Sequence, residues 1–166
     1  MSLPLSYRTL NLAGVFGSVA AMLFAVVVLQ IIAGLEPCPL CMIDRVLVIA
    51  IGIVFLVASV HNPRHIGQRI YAGVAFVPAL LGIAVCLRHI WLQNLPSDEV
   101  PSCAPGLDYM LEVLPVTETL QIIFTTSGEC ARIDWTWLGF TLPQLTLAVF
   151  AGFALLSLAQ IFRTPN

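Results

Sequence analysis

Long apolar runs separated by short polar segments are the main pattern of this chain. The first run carries no charged residue and, at about 1.5 Å per residue in a helix, is long enough to cross the hydrocarbon core of a bilayer. A cleaved signal peptide has a shorter apolar region, so we expect this run to be retained. We predict an all-α integral membrane protein whose four transmembrane helices form one bundle domain over residues 1–166. The expected spans are residues 12–35, 42–60, 70–88 and 143–162.

One long connection, residues 91–141, joins the third and fourth spans. Loops of this length are uncommon and usually functional. Its middle, residues 111–124, is apolar, is broken by Pro115, and is too short to cross a membrane. This stretch either lies in the membrane interface or packs on the bundle. Trp135 and Trp137 precede the fourth span and are expected to anchor it at the interface.

The composition supports the membrane assignment. Hydrophobic residues make up 59% of the chain and charged residues 10%, and the mean hydropathy is +0.97. Soluble domains normally have about a quarter of their residues charged. The chain has a net charge of −2, no basic patch and no glycine-rich phosphate loop, so we expect no nucleic-acid partner.

Two cysteines separated by two residues, Cys38 and Cys41, lie in the polar gap between the first two spans. Cysteines at this spacing form a disulfide that is easily reduced and reformed. The flanking prolines should end the preceding helix. The next helix should begin near Leu40 or Cys41, where the helix macrodipole favours a negatively charged sulfur. Arg45 follows one helical turn later and brings a permanent cation near that sulfur.

The same cysteine spacing occurs in zinc sites, which usually need a second close pair of cysteines or histidines. The sequence has no second close pair, because the remaining cysteines are Cys86, Cys103 and Cys130. We therefore favour redox chemistry and expect no metal. Cys86 lies inside an apolar span and should be a small packing residue.

The arginines indicate how the protein is oriented in the membrane. The N-terminus, the second connection and the tail carry no acid but hold Arg8, Arg64, Arg69 and Arg163. The other side carries the remaining arginines and all nine acids. The positive-inside rule then places both termini in the cytoplasm. All four cysteines outside the spans face the extracytoplasmic side, where disulfides persist.

Two cysteine pairs on one membrane face predict a thiol–disulfide relay. Cys103 and Cys130 in the long loop would meet a soluble partner, and the Cys38–Cys41 pair would pass electrons into the bilayer. Because the chain has no haem or flavin motif, we expect a lipid-soluble quinone to accept them. Arg45 and His89 would donate hydrogen bonds to its oxygens or stabilise its reduced, anionic forms.

Each of these assignments has a structural alternative. Cys103 and Cys130 would otherwise form a fixed disulfide, as is common in exported loops. Arg45 would be an interfacial arginine paired with Asp44 or Glu36. His89 would be a solvated histidine at a helix end.

Over almost its whole length, the chain resembles the DsbB family of bacterial inner-membrane enzymes, which reoxidise the periplasmic disulfide carrier DsbA with quinone. The motifs that carry the resemblance are Pro37-Cys38-Pro39-Leu40-Cys41 with Asp44-Arg45, His89 with Leu92-Gln93, Ser127-Gly128-Glu129-Cys130-Ala131, Trp137-Leu138-Gly139 and Pro143-Gln144. The resemblance implies an inner-membrane thiol:quinone oxidoreductase that takes electrons from a DsbA-like carrier and supports disulfide formation in exported proteins. The acceptor would be ubiquinone or menaquinone.

The resemblance also implies a role for each cysteine. The reduced carrier would attack Cys103, and Cys130 would pass the electrons to the Cys38–Cys41 disulfide through Cys38. Cys41 would be released as a thiolate facing the quinone, with Arg45 beside it. The chain departs from the family pattern at Asp44, where better-known members have glutamate, and by possessing Cys86. The loop around Cys103 is specific to this sequence, which leaves the identity of the carrier open.

Three rival interpretations remain open at this point. A specialised member of the same family would serve a dedicated periplasmic partner. A non-catalytic protein with four spans would hold its cysteines in fixed disulfides. An enzyme related to vitamin K epoxide reductase would also use a membrane pair of this spacing, although that family places it near the end of the bundle.

Overall fold

The computed structural model describes residues 6–64, 66–96, 98–103, 107–126 and 128–163. The first residues of the polar lead, Ser127 of the family motif and the end of the tail lie outside this part of the chain. In chain order the elements are α1 (Tyr7–Leu23), a π-helical segment (Phe24–Ile32), α2 (Pro39–His61), α3 (Ile66–Gln93), α4 (Leu107–Val113), α5 (Val116–Thr125), a 3₁₀ turn (Gly128–Ala131), β1 (Thr136–Trp137), β2 (Phe140–Thr141) and α6 (Leu142–Ile161).

In the described part of the chain, four helices are long and apolar enough to cross a membrane, which confirms the predicted all-α membrane fold. They are Tyr7–Ile32, Pro39–His61, Ile66–Gln93 and Leu142–Ile161. The first begins before the predicted residue 12, because Ser6 caps it by accepting a hydrogen bond from the Thr9 amide at 3.1 Å. Such a cap lies in the polar lead, where hydropathy does not indicate a helix.

The four helices pack in the order α1, α2, α3 and α6 around an apolar core. The rings of Phe55 on α2 and Phe153 on α6 lie 6.0 Å apart in this core. Gly14 and Gly82 leave room for the rings of Phe55 and Phe150, because a Cβ at either glycine would collide with the ring. Small residues at such contacts let membrane helices approach closely. The outer surface of these helices also exposes many large apolar side chains, as expected for helices that cross a bilayer.

The apolar stretch of the long loop packs on the bundle through one side. Met110 of α4 and Ile123 of α5 are buried against Leu92 of α3 and against Cys130. Val116 on the same stretch remains 64% exposed. The two loop helices therefore cover the end of the bundle where α2 begins and α3 ends, and they bring Cys130 to that end.

A small antiparallel hairpin returns the loop to the fourth span. Thr136 pairs with Thr141, and Trp137 pairs with Phe140. Leu138 and Gly139 have positive φ angles of 51° and 85°, as the two central residues of a type I′ turn require. This turn accounts for the glycine of the Trp137-Leu138-Gly139 motif.

Candidate active site

Cys38 and Cys41 lie at the N-terminal end of α2. Cys38 is the N-cap residue, and its sulfur accepts a hydrogen bond from the Cys41 amide at 3.4 Å. The two Sγ atoms are 2.9 Å apart, and all five cysteines of the chain are free thiols. The helix begins at Pro39, close to the expected start, because proline is well suited to the first helical position. The start of α2 therefore brings the two sulfurs into contact.

The 3₁₀ turn places Cys130 beside this pair. Cys130 is 1% exposed and forms a side-chain hydrogen bond with Cys38. That bond is the largest cause that raises the pKa of Cys38 to about 12; burial also raises it, and the hydrogen bond with Cys41 lowers it. Reduced Cys38 therefore keeps its proton at neutral pH and is a poor nucleophile in this form.

His89 faces the same sulfurs from α3. Its Nε2 lies 4.0 Å from Cys38 Sγ, and the residue is 4% exposed. Its Nδ1 is buried and has no hydrogen-bond partner within the described residues. The alternative of a solvated histidine at a helix end is therefore wrong, because α3 continues past His89 to Gln93 and the histidine is buried.

Arg45 is held by the first helix rather than by an acid. Its Nη1 donates to Gln30 Oε1 at 2.8 Å, and its Nη2 donates to the Ala25 carbonyl at 3.2 Å. Neither Asp44 nor Glu36, the partners expected for an interfacial arginine, forms an ion pair with it in the part of the chain that the structure describes. Both acceptors lie in the π-helical segment, a conformation often found at functional sites.

The structure adds residues that the sequence analysis did not assign to the site. Asp44 is 6% exposed, and its Oδ2 accepts from Cys86 Sγ at 3.7 Å, whereas Oδ1 has no partner among the described residues. Cys86 packs in the core, as predicted, but also contacts this carboxylate. Gln30 orients Arg45. The sequence offered one signal for each: Gln30 is a polar residue inside a charge-free span, and Asp44 is an acid close to a cysteine pair.

The candidate site surrounds one cavity of about 190 Å³. Cys38, Cys41, Arg45, His89 and Cys130 all face it, as does Asp44. Apolar residues of α1, α2 and α6 form much of the remaining wall. Trp135, expected at the membrane interface, also lines it and packs edge-on against Phe24 with ring centroids 6.0 Å apart.

Cys103 does not line the cavity and is exposed to solvent. The backbone carbonyl of its neighbour Ser102 accepts a hydrogen bond from the Gly128 amide at 3.3 Å. Gly128 also lies against the Pro101 carbonyl so closely that a Cβ would collide with it. This backbone contact holds the segment before Cys103 beside the turn that carries Cys130.

Comparisons with known proteins identify the family to which the chain belongs. The family model of disulfide bond formation protein DsbB matches residues 7–160. A disulfide bond formation protein B of Nitrosococcus oceani is 52% identical over 81% of this chain and 80% of that relative. Those of Acinetobacter baumannii and Methylococcus capsulatus are 48% and 44% identical over 96% of this chain and over 93% and 96% of their own lengths. With four helices able to span a membrane, a partly buried thiol pair and a family match over nearly its full length, the chain belongs to the DsbB family of disulfide bond formation proteins.

Proposed function

We propose that this protein is a membrane thiol oxidase that reoxidises a DsbA-like periplasmic dithiol carrier and passes the electrons to a membrane quinone. The observation that carries the proposal is the convergence of Cys38, Cys41, Cys130, Arg45 and His89 on one cavity at the end of the bundle. In a protein with only fixed disulfides, the Cys38–Cys41 pair and Cys130 of the other pair would not need to lie next to each other.

The relay begins at the exposed loop cysteine. A carrier thiolate attacks Cys103 of the Cys103–Cys130 disulfide, and Cys130 leaves as a thiolate. The second carrier thiol then displaces Cys103, which releases an oxidised carrier and two reduced loop cysteines. Two electrons and two protons have moved from the carrier to the loop.

The second exchange takes place inside the protein. Cys130 attacks Cys38 of the Cys38–Cys41 disulfide, and Cys41 leaves as a thiolate near Arg45. Cys103 then attacks Cys130, which restores the loop disulfide and leaves Cys38 and Cys41 as a dithiol. The hydrogen bond between Cys130 and Cys38 supports this order, because it brings the attacking and the attacked side chains next to each other.

The cavity suits the head group of a quinone. Its volume of about 190 Å³ is below the roughly 300–1,000 Å³ of pockets for drug-sized ligands, so it would hold a ring rather than a long tail. His89 Nδ1 is buried and finds no partner among the residues that the structure describes, and Arg45 has further N–H donors beyond its two bonds to Gln30 and Ala25. These groups would hold the oxygens of the ring. A bound quinone would supply a two-electron acceptor.

One experiment tests the whole proposal. Purified protein is mixed anaerobically with a reduced DsbA-type carrier and a quinone, and quinone reduction is followed by absorbance. We expect one quinone reduced for each carrier dithiol oxidised, and none with Cys41→Ser. If thiol trapping finds the cysteines still oxidised after exposure to reduced carrier, they form fixed bridges and the proposal is wrong.

Complementation of a strain that lacks its general oxidase separates a general enzyme from one with a dedicated partner.

Both termini should be cytoplasmic in the bacterial inner membrane. Asn62 ends α2 at the side opposite the cysteines, and Ser102 lies on the cysteine side. Reporter fusions after Asn62 and at the C-terminus should be active only as cytoplasmic reporters, and a fusion at Ser102 only as an exported one. An exported C-terminus would reverse the orientation.

Gly128→Ala should slow carrier oxidation by roughly 10–100-fold. The added Cβ must displace the Pro101 backbone, and this displacement should move the nearby Cys103 away from Cys130. The measurement is the single-turnover rate of carrier oxidation by the oxidised protein. Gly152→Ala is the matched control, since a Cβ there meets no atom within 4 Å. Equal rates for the two variants would show that the contact at Gly128 does not position the loop cysteines.

Cys86→Ala should keep turnover within a small factor of wild type. Cys86 is buried in the core, and its thiol is only a weak hydrogen-bond donor to Asp44. Steady-state quinone reduction is the measurement, with the inactive Cys103→Ala as the reference for a relay cysteine. A loss comparable to that of Cys103→Ala would mean that Cys86 takes part in the reaction.

A further inference from the structure

We propose that the reduced protein binds one Zn²⁺ ion through Cys38, Cys41 and His89, with Cys130 as the fourth ligand, and that this ion holds the protein in its dithiol form. This site goes beyond the proposed oxidase function. The sequence argued against a metal because no second close pair follows the first. The tertiary structure supplies the missing ligands from α3 and from the 3₁₀ turn.

The geometry is close to that of a zinc site. The two sulfurs and a ring nitrogen of His89 lie within 4.8 Å of one another. Ligand atoms around a tetrahedral zinc ion, with bonds of about 2.0–2.3 Å, are roughly 3.5–3.8 Å apart. The Cys38–Cys41 separation of 2.9 Å must therefore lengthen, and the Cys38–His89 separation of 4.0 Å must shorten slightly. Each change is under about 1 Å, within reach of small side-chain rotations.

Cys130 supplies the fourth donor. Its side chain hydrogen-bonds to Cys38, and the residue lines the same cavity as the other three. Its sulfur lies outside the group of ligand atoms that are all within 4.8 Å of one another, so it must move toward the ion. Three cysteines and one histidine are a donor set of structural zinc sites, and two cysteines separated by two residues are a common ligand spacing. Sulfur and imidazole donors select zinc and other soft cations over Mg²⁺ and Ca²⁺. Arg45, on the cavity wall, offsets the excess negative charge of three thiolates around a divalent ion.

The binding reaction is coupled to the redox state but transfers no electron. Three thiols lose three protons as Zn²⁺ binds, and the sulfur lone pairs that would form a disulfide are then bonded to the metal. In the oxidised protein the sulfurs of Cys38 and Cys41 are joined to each other and are no longer thiolate ligands. Because Cys130 is also a ligand, zinc should therefore bind only when the Cys103–Cys130 pair is reduced as well as the Cys38–Cys41 pair, and it should compete with quinone for the cavity.

Metal binding can be measured without quinone or carrier, so its outcome is independent of the proposed oxidase function. Full-length protein in detergent is reduced anaerobically, freed of reductant and titrated with Zn²⁺, and the metal retained after desalting is counted. Co²⁺ is titrated in parallel, because its absorption reports tetrahedral geometry and thiolate ligands. We expect one ion per reduced protein, thiolate-to-cobalt absorption, and no retained ion in the oxidised protein.

Substitutions locate the site. Loss of an outer-shell partner already weakens a metal site 10–100-fold, so His89→Ala and His89→Gln should weaken Zn²⁺ binding by roughly 100-fold or more. Cys41→Ser should abolish it. Cys86→Ala and His61→Ala are the controls: the Cys86 thiol faces Asp44, and His61 Nδ1 lies 2.8 Å from Tyr71 Oη at the other end of α2. Any of three results would overturn the proposal. The oxidised protein could retain as much Zn²⁺ as the reduced protein, the cobalt spectrum could lack thiolate bands, or folded His89 variants could bind Zn²⁺ with unchanged affinity.

Discussion

A carrier that retains only its attacking cysteine should accumulate as a covalent adduct on Cys103 of the oxidised wild-type protein. A thiolate attacks the disulfide sulfur that it can approach in line, so access selects the target. Cys103 is exposed, whereas Cys130 is 1% exposed and packs against residues of α2, α3 and the loop helices. The attack displaces Cys130 toward Cys38, and the carrier has no second thiol with which to resolve the adduct.

The adduct should be visible on a non-reducing gel, released by reductant, and located at Cys103 by peptide mass. Cys103→Ser should give no adduct, and Cys130→Ala should give none either, because Cys103 then has no disulfide to attack. Cys86→Ala should give as much adduct as wild type. An adduct found mainly on Cys130 or Cys38 would reverse the proposed order of electron flow and leave the quinone end of the relay intact.

Arg45→Ala should raise the Michaelis constant for quinone by roughly 10–150-fold, with little change in that for the carrier. The guanidinium is held at the cavity by Gln30 and Ala25, so its remaining donors would reach the quinone. A hydrogen bond from a charged donor contributes about 1.5–3 kcal/mol, and each 1.4 kcal/mol corresponds to a tenfold change in affinity. Steady-state kinetics with each substrate varied in turn gives the two constants.

Two further variants sharpen this test. Arg45→Lys should be partly active, since the charge survives while the planar set of donors does not. Arg8→Ala, an exposed arginine at the start of α1, should leave both constants unchanged. If Arg45→Ala changes neither constant, or raises that for the carrier equally, Arg45 serves only as an anchor at the membrane interface.

The four membrane helices were predictable because each depends on local composition alone. A helix in a bilayer must satisfy its own backbone hydrogen bonds and present apolar side chains over the full hydrocarbon thickness, which leaves long apolar runs in the chain. The start of α2 was predictable for a similarly local reason, since the prolines around Cys38 act on their immediate neighbours. The ends of the helices were predicted less accurately. The third helix was expected to end at Arg88, but α3 continues to Gln93. The Arg88 side chain donates to the Phe124 carbonyl and lies over the Trp91 ring.

The assembly of the candidate site was decided by the tertiary structure. The contact of His89 with Cys38 and that of Cys86 with Asp44 join residues 51 and 42 positions apart. No periodicity or spacing encodes such contacts, because they depend on how α2, α3 and the loop pack. The thiols, Arg45 and His89 were identifiable as candidates from the sequence. Packing decided that Cys130 meets Cys38, that Gln30 rather than an acid holds Arg45, and that a buried histidine stands beside three sulfurs, since only the bundle brings these elements to one end of the molecule.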